Sequence, residues 1–304
     1  MLSAPGMVLQ FGDVNLSFLI LQVFNGLVLG LIFVLISLGL SITFGTMGIV
    51  NFAHGELLLL GAYLSWAAAL LSGSMLVGIA VAVIGVALFG ILVERVALRP
   101  TYGEDPLLQL LLTFGLAEAI REGVQIVWGR SGKSYPIPKW GLLQVDLGGF
   151  SYPLYRLSVI VAASLITVGV YLFLTRSDTG LIIRAGVQDR GMTEILGINV
   201  SWTFMIVFAL GGALAGIAGA LIAPIRGVYP LLGVELLIPA FVVVVIGGLG
   251  SFRGSILAAL LVGQVIVLTG MVASAFSGVV IYVLMAAVLL ARPQGLFGTG
   301  GVFS

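Results

Sequence analysis

The 304 residues carry 13 Lys and Arg against 12 Asp and Glu, a net charge of +1, and 60% of them are hydrophobic while only 8% are charged. A mean hydropathy of +1.24, set against about 25% charged residues in ordinary soluble domains, defines an integral membrane protein without a broad basic surface for nucleic acid. The absence of cysteine excludes disulfides and thiolate metal sites, and the single histidine excludes a multi-histidine metal centre within the chain.

At ~20 residues per crossing, the length supplies about eight to ten spans plus connections. The predicted fold class is all-α, a polytopic membrane helix bundle forming one transmembrane domain over 1–304 with discontinuous or re-entrant helices. No Lys or Arg precedes Arg95, so a basic leader region is missing and the first span is expected to stay in the mature protein.

Residues 16–44 are apolar for longer than one crossing requires and hold Gly26 and Gly30 at GxxxG spacing, which predicts one tilted span or a span plus part of a second. The stretch GTMGIVNFAHGE (45–56) follows, with three glycines, Asn51, His54 and Glu56 between apolar runs. Irregular backbone at membrane depth needs protein or a wet cavity to satisfy its polar groups, so a broken or re-entrant element beside a pathway is expected here. An ordinary turn with a helix start is the other reading. Asn51, His54 and Glu56 are the pathway candidates, although a lone histidine reads first as a hydrogen-bonded structural residue.

Spans are predicted at about 57–73 and 75–93, ended by ERVALRPTYGEDP (94–106), whose Pro100 and Pro106 mark a loop. The next apolar run, 107–128, carries Glu118, Arg121 and Glu122 on one helical face. Charges at membrane depth normally pair or face a bundle interior, which makes these three an intramembrane cluster, structural in one reading and a substrate site in the other. Residues 129–153 form a polar connection in which Gly132-Lys133-Ser134 imitates a phosphate-binding loop. The required earlier glycine is replaced by Val127, and Pro136 and Pro138 prevent the helix that must follow, so nucleotide binding is not expected in this chain.

After a span at about 154–174 comes the longest charged segment between apolar runs, 175–201, TRSDTGLIIRAGVQDRGMTEILGINVS. Asp178 and Thr179 can cap a helix there, and Leu181, Ala185, Met192, Ile195 and Leu196 recur at helical spacing with Arg184, Gln188 and Glu194 turned elsewhere. Gly186 and Gly191 each cost a helix about 1 kcal/mol, which predicts two short helices joined at a bend and shaped to dock into a groove. Beyond it, 203–223 is a span with Gly211, Gly212, Gly216 and Gly219 placed for close helix contact. Residues 224–235 form a break, 236–247 is too short to cross alone and is expected to join GGLGSFRG as a discontinuous element, and apolar runs at 255–275 and 276–291 close the bundle.

The run Arg184-Ala185, Asp189, Met192, Leu196-Gly197-Ile198-Asn199-Val200 resembles the coupling region of LivH-type permeases of branched-chain amino acid ABC importers. The resemblance extends, in order, through Asn51-Phe52-Ala53-His54-Gly55, Glu94-Arg95-Val96-Ala97 with Arg99-Pro100, Gly247-Gly248-Leu249-Gly250-Ser251, and Arg292-Pro293-Gln294-Gly295-Leu296-Phe297. It implies a transport subunit rather than an enzyme, working in a bacterial or archaeal plasma membrane with a second related permease, ABC ATPase subunits and an extracytoplasmic substrate-binding protein. No cofactor is expected in this chain, and ATP and Mg belong to the partner ATPase. Arg184, Gln188, Asp189, Glu194 and Gly197 are then the candidates for ATPase coupling. The implied cargo is branched-chain or other hydrophobic amino acids. Urea and short-chain amide permeases share similar motifs and form the alternative, and a self-contained channel or secondary transporter using His54, Glu56, Glu118, Arg121 and Glu122 is a further one.

Overall fold

Because lipid offers no hydrogen bonds to the backbone, long apolar runs must satisfy their own N–H and C=O groups, and here they do so as helices. The computed structural model describes residues 16–48, 50–148, 150–188 and 190–298, and among these the side chains of 187, 188, 190 and 194 are outside the description. Among the described residues, six helices are long and apolar enough to cross a membrane: α1 (Leu16–Met47), α2 (His54–Ser72), α3 (Met75–Val93, continued by looser and tighter turns to Thr101), α5 (Leu154–Arg176), α8 (Val200–Arg226) and α10 (Phe252–Val272). Between them lie α4 (Pro106–Trp128), whose 23 residues include the three charges, and the shorter apolar α9 (Leu232–Gly247), and the equally apolar α11 (Val280–Ala291) follows α10.

The long first apolar stretch is one helix of 32 residues rather than a span and a fragment. Its second half is buried on every side, with Ile32, Val34, Leu35, Ile36 and Leu38 fully covered. A helix that is apolar all round belongs in a core, and α1 is the post around which the bundle packs. Glycine permits the approach: a Cβ on Gly263 of α10 would stand 2.5 Å from the Gly30 backbone of α1. Further along, the Ser41 and Ser255 hydroxyls lie 2.5 Å apart, so α1 and α10 run antiparallel.

α8 wedges between α2 and α3 through the glycines expected to mediate close contact. A Cβ on Gly61 of α2 would lie 2.5 Å from the Gly216 Cα, and one on Gly212 would lie 2.9 Å from the Val86 carbonyl oxygen of α3. Small residues let helix backbones meet where lipid supplies no hydrophobic drive between helices. At the end of the bundle away from α6–α7, the polar connection 129–153 adds a two-stranded hairpin, β1 (Gln144–Asp146) and β2 (Ser151–Pro153). This connection is tied down by Tyr135 to Ser65 at 2.8 Å, by the Trp66 indole donating to the Ser134 carbonyl at 3.0 Å, and by Lys133 pairing with Val228. Burial raises the Tyr135 phenol above its ordinary pKa, opposed by its bond to Ser65.

At the other end, α6 (Asp178–Gln188) and α7 (Arg190–Ile195) are the two short helices expected, although Gly186 and Gly191, expected to interrupt the helix, lie within α6 and α7. The cap differs from expectation. Ser177, not Asp178 or Thr179, accepts from the Gly180 N–H at 2.9 Å while donating to the Phe173 carbonyl at 2.6 Å, so one hydroxyl closes α5 and opens α6. The short run at 236–247 is α9, and Gly248 and Gly250, at φ of 100° and 79°, turn the chain into α10, whose N-cap is Ser251. The discontinuous element expected there is therefore helix, left-handed turn and helix.

Candidate functional site

α2 starts inside the bundle. After α1 ends at Met47 the chain turns back on itself, and His54, the first residue of α2, lies against Gly39, well short of the end of α1. α9 also begins inside, approaching from the other end, and the two starts meet: a Cβ on Gly55 would stand 2.6 Å from the Gly233 carbonyl oxygen. Phe52 and Phe241 extend this contact with ring centroids 5.3 Å apart. Two helix N-termini, each with free backbone donors and a positive dipole end, thus converge on one interior region.

The sequence candidates cluster there. Asn51, His54 and Glu56 are all buried, and each keeps one polar atom without a hydrogen bond: Asn51 Nδ2, His54 Nε2 and Glu56 Oε2. Asn51 Oδ1 accepts from the Ala53 N–H at 3.0 Å and so shapes the turn into α2. His54 engages the Ile36 backbone with its ring pressed on Gly39, a packing role in keeping with a structural histidine.

Glu56 Oε1 pairs with Arg121 Nε at 3.1 Å, and a second Arg121 nitrogen reaches Glu118 at 3.1 Å. The charged group that forms therefore joins α2 to α4, with Glu56 in the place the sequence reading gave to Glu122. Glu122 instead accepts from Gln125 at 2.9 Å, one turn along the same helix. Spacing along α4 could not reveal this, because the partner lies 65 residues away. Glu56 is 1% exposed and Glu118 46%, so Arg121 bridges from interior to surface. Its guanidinium neutralises a carboxylate that would otherwise be too costly to bury.

Beside Asn51 lies a cavity of about 380 Å³ whose walls include Leu40 and Phe44 of α1, Val50, and Phe241, Val244 and Val245 of α9. A second cavity of about 270 Å³ lies toward the other end of the same two helices, between Phe33 of α1 and Leu236 and Pro239 of α9, with Arg226 and Glu235 at its edge. The cavities and the α1–α9 seam escaped the sequence reading. No local signal marks the seam, since apart from Asn51 in the first cavity and Arg226, Glu235, Ser277 and Tyr282 in the second the walls are ordinary apolar residues.

On α6–α7 the arrangement is reversed. Ile183 is buried and Gly180 rests on the end of α5, which fixes the pair to the bundle. Leu181, Met192, Ile195 and Leu196, four of the apolar residues that recur at helical spacing in this segment, are exposed, Ile195 by 82% and Leu196 by 71%. Of the coupling candidates, Arg184 is half-buried, while Asp189 and the side chains of Gln188 and Glu194 lie outside the described residues. Gly197 has φ +81°, and just past it the Ile198 N–H returns to the Thr193 carbonyl at 3.2 Å, ending α7. Asn199 then caps α8 by accepting from the Trp202 N–H at 3.1 Å, so the Leu196–Val200 motif is a tight helix-to-helix joint.

A multi-pass bundle with interior helix starts, cavities toward both ends of one helix seam and a helical pair projecting from one end defines a membrane transport protein. The family model described as branched-chain amino acid transport system / permease component matches residues 22–289, and the chain belongs to that family. It is 32% identical, over 91% of its own length and 95% of the relative's, to the high-affinity branched-chain amino acid transport system permease protein BraD of Pseudomonas aeruginosa. The similarly described LivH of Escherichia coli K12 is 30% identical over 91% of this chain and 94% of its own. A probable branched-chain amino acid transport permease protein LivH of Methanocaldococcus jannaschii is 29% identical over 87% and 88%. The protein is a multi-pass inner-membrane permease.

Proposed function

We propose that this chain is the permease subunit of an ATP-binding cassette importer, providing a path for branched-chain or other hydrophobic amino acids and passing ATP-driven motion from a separate ATPase to the bundle. The observation that carries the coupling is the exposed apolar face of α6–α7, Leu181, Met192, Ile195 and Leu196, at one end of the bundle. Charged and apolar residues mixed on a short projecting helix pair suit insertion into a groove of another protein. Arg184, Gln188, Asp189 and Glu194 are read as the rim of that contact, and Gly197 as the joint that transmits it to α8. ATP and Mg are assigned to the ATPase, and a second related permease and an extracytoplasmic binding protein complete the importer.

The α6–α7 end is assigned to the cytoplasm. Arg95, Arg99, Arg176, Arg184, Arg190, Arg253 and Arg292 lie there, against Arg130, Lys133, Lys139, Arg156 and Arg226 toward the other end, a modest bias in the cytoplasmic direction. Asn51, His54 and Glu56 are read as lining the path where α2 and α9 meet. Movement of α6–α7 shifts the balance of outward- and inward-open states only if the ATPase binds them unequally.

The test is reconstitution of the chain with its ATPase, second permease and binding protein. Leucine uptake is expected to require ATP, and leucine-loaded binding protein is expected to raise ATP hydrolysis. Uptake that proceeds on an ion gradient without ATP would replace this reading with a secondary transporter.

A further inference from the structure

The segment 94–102, between α3 and α4, is built at a cost that packing alone does not explain. Glu94 is 0% exposed, and its two oxygens differ: Oε1 accepts from the Tyr102 hydroxyl at 2.8 Å, whereas Oε2 has no hydrogen-bond partner among the described residues. A carboxyl buried against one neutral donor destabilises a fold. Glu94–Leu98 is also a π-helical turn, in which the Arg99 N–H reaches back five residues to the Glu94 carbonyl, and such turns are rare and frequently placed at functional sites. The segment is fastened on its far side by Gln109 of α4, which donates to the Thr101 carbonyl at 2.7 Å.

Tyr102 also faces α8. Its ring meets that of Phe204 edge-on, with centroids 5.2 Å apart and planes at 89°, and Phe204, 2% exposed, lies one turn into α8, just past the joint at Gly197 and Asn199. One turn further along the same face, the Phe208 carbonyl oxygen would stand 3.2 Å from a Cβ on Gly90 of α3. The start of α8 therefore bears on the end of α3, and the ring that makes the outer contact is the one whose hydroxyl holds Glu94. We infer that Tyr102 is a positioning residue of the transport cycle: displacement of α6–α7 turns the start of α8, Phe204 carries the movement to Tyr102, and the Tyr102–Glu94 bond passes it to the π-turn that ends α3. The inference rests on the importer reading and adds a second route from the coupling pair into the bundle, beside the direct one through α8. Converting a small displacement into two states requires an element with two arrangements. The π-turn supplies it, since neither its backbone nor its carboxyl sits in its most stable form.

The experiment uses the importer reconstituted with its ATPase, second permease and binding protein, and reads leucine taken up per ATP hydrolysed together with the melting temperature. Tyr102→Phe keeps the ring and removes the hydroxyl, and is expected to lower uptake per ATP by about five-fold or more while ATP hydrolysis stimulated by leucine-loaded binding protein stays within about two-fold. The same variant strands Glu94, so its melting temperature is expected to drop. Adding Glu94→Leu to Tyr102→Phe removes the stranded group, and melting is then expected to return toward wild type while uptake per ATP stays low. Glu94→Gln, which keeps an acceptor for the hydroxyl, is expected to couple as wild type does. Recovery of uptake per ATP along with melting in the double variant marks the bond as a structural tie and overturns the inference, as does wild-type coupling in Tyr102→Phe. Should Tyr102→Phe fail to insert, thiol labelling of Ala97→Cys, placed in the π-turn of this otherwise cysteine-free chain, decides the matter. A labelling rate that changes between the ATP-bound and nucleotide-free importer supports the inference, and a rate indifferent to nucleotide overturns it. A wild-type importer that takes up leucine without ATP instead brings down the importer reading, an outcome distinct from ATP-coupled wild-type uptake with unaltered Tyr102 variants.

Discussion

The start of α2 and the α6–α7 pair use the same residue types with opposite burial. Inside the bundle, Asn51, His54 and Glu56 are hidden, and large apolar residues of α3 and α4 such as Ile84, Leu88 and Leu111 face outward. On α6–α7, Ile195 and Leu196 face outward as well, but at the end of the bundle, where water rather than hydrocarbon surrounds them on the proposed topology. Exposed apolar side chains therefore have different meanings at the two places. Along the spans they meet lipid at no cost, and at the end they call for protein. The polar groups differ in the same way: at mid-bundle a carboxylate must carry its counter-ion with it, whereas the charges on α6–α7 are proposed as a contact rim at the end of the bundle.

The sharpest way to break this comparison is to remove the interior counter-ion. Arg121→Ala strands Glu56, which is 1% exposed, and is expected to destabilise the purified chain by about 3–5 kcal/mol in a thermal or denaturant melt. Glu56→Gln combined with Arg121→Gln removes both charges and should melt much closer to wild type. A single mutant as stable as wild type would show that the α2–α4 ion pair is not what holds the interior start of α2.

The second test addresses the projecting pair. Ile195→Asp together with Leu196→Asp should leave insertion and melting unchanged, since both side chains are already exposed, while lowering ATP-driven uptake by about 100-fold, equivalent to about 2.7 kcal/mol of docking energy. Arg184→Ala with Glu194→Ala should cost less, because rim charges govern encounter more than hold. Should the polar pair prove the more damaging, the docking face is the polar one and the apolar exposure has another use.

Glycines give the smallest and most local contrast. Gly55→Ala drives a methyl group to 2.6 Å from the Gly233 carbonyl oxygen and should cost about 1–3 kcal/mol through overpacking. Gly197→Ala meets no neighbour, and only its φ of +81° opposes the change, so about 1 kcal/mol is expected. Gly197→Asn should recover part of that loss, since asparagine tolerates the left-handed region, whereas Gly55→Asn should be worse than alanine. Melting curves of the four variants separate a steric from a backbone origin.

Most of the helices were legible because a 20-residue apolar run in a chain this hydrophobic has one good solution, and breakers such as Pro100, Pro106 and Gly248 mark where each run stops. That 178–197 holds two short helices was legible, though not where they part, since Gly186 and Gly191 lie within α6 and α7; the close-packing role of Gly26, Gly30 and Gly216 could be read from spacing alone. The sequence also determined that Asn51, His54 and Glu56 need an unusual environment, since polar groups cannot face hydrocarbon unpaired. What it could not determine was which groups meet. That α2 and α9 begin inside the bundle and abut, that Glu56 rather than Glu122 completes the Arg121 group, that Ser177 caps α6, and that Ile195 and Leu196 point away from the protein are all facts of long-range packing. Local periodicity records which residues share a face of one helix. Which way that face turns is decided by its neighbours, because in a membrane bundle apolar surface is equally content against lipid and against protein, and only close glycine contacts and buried ion pairs choose between them.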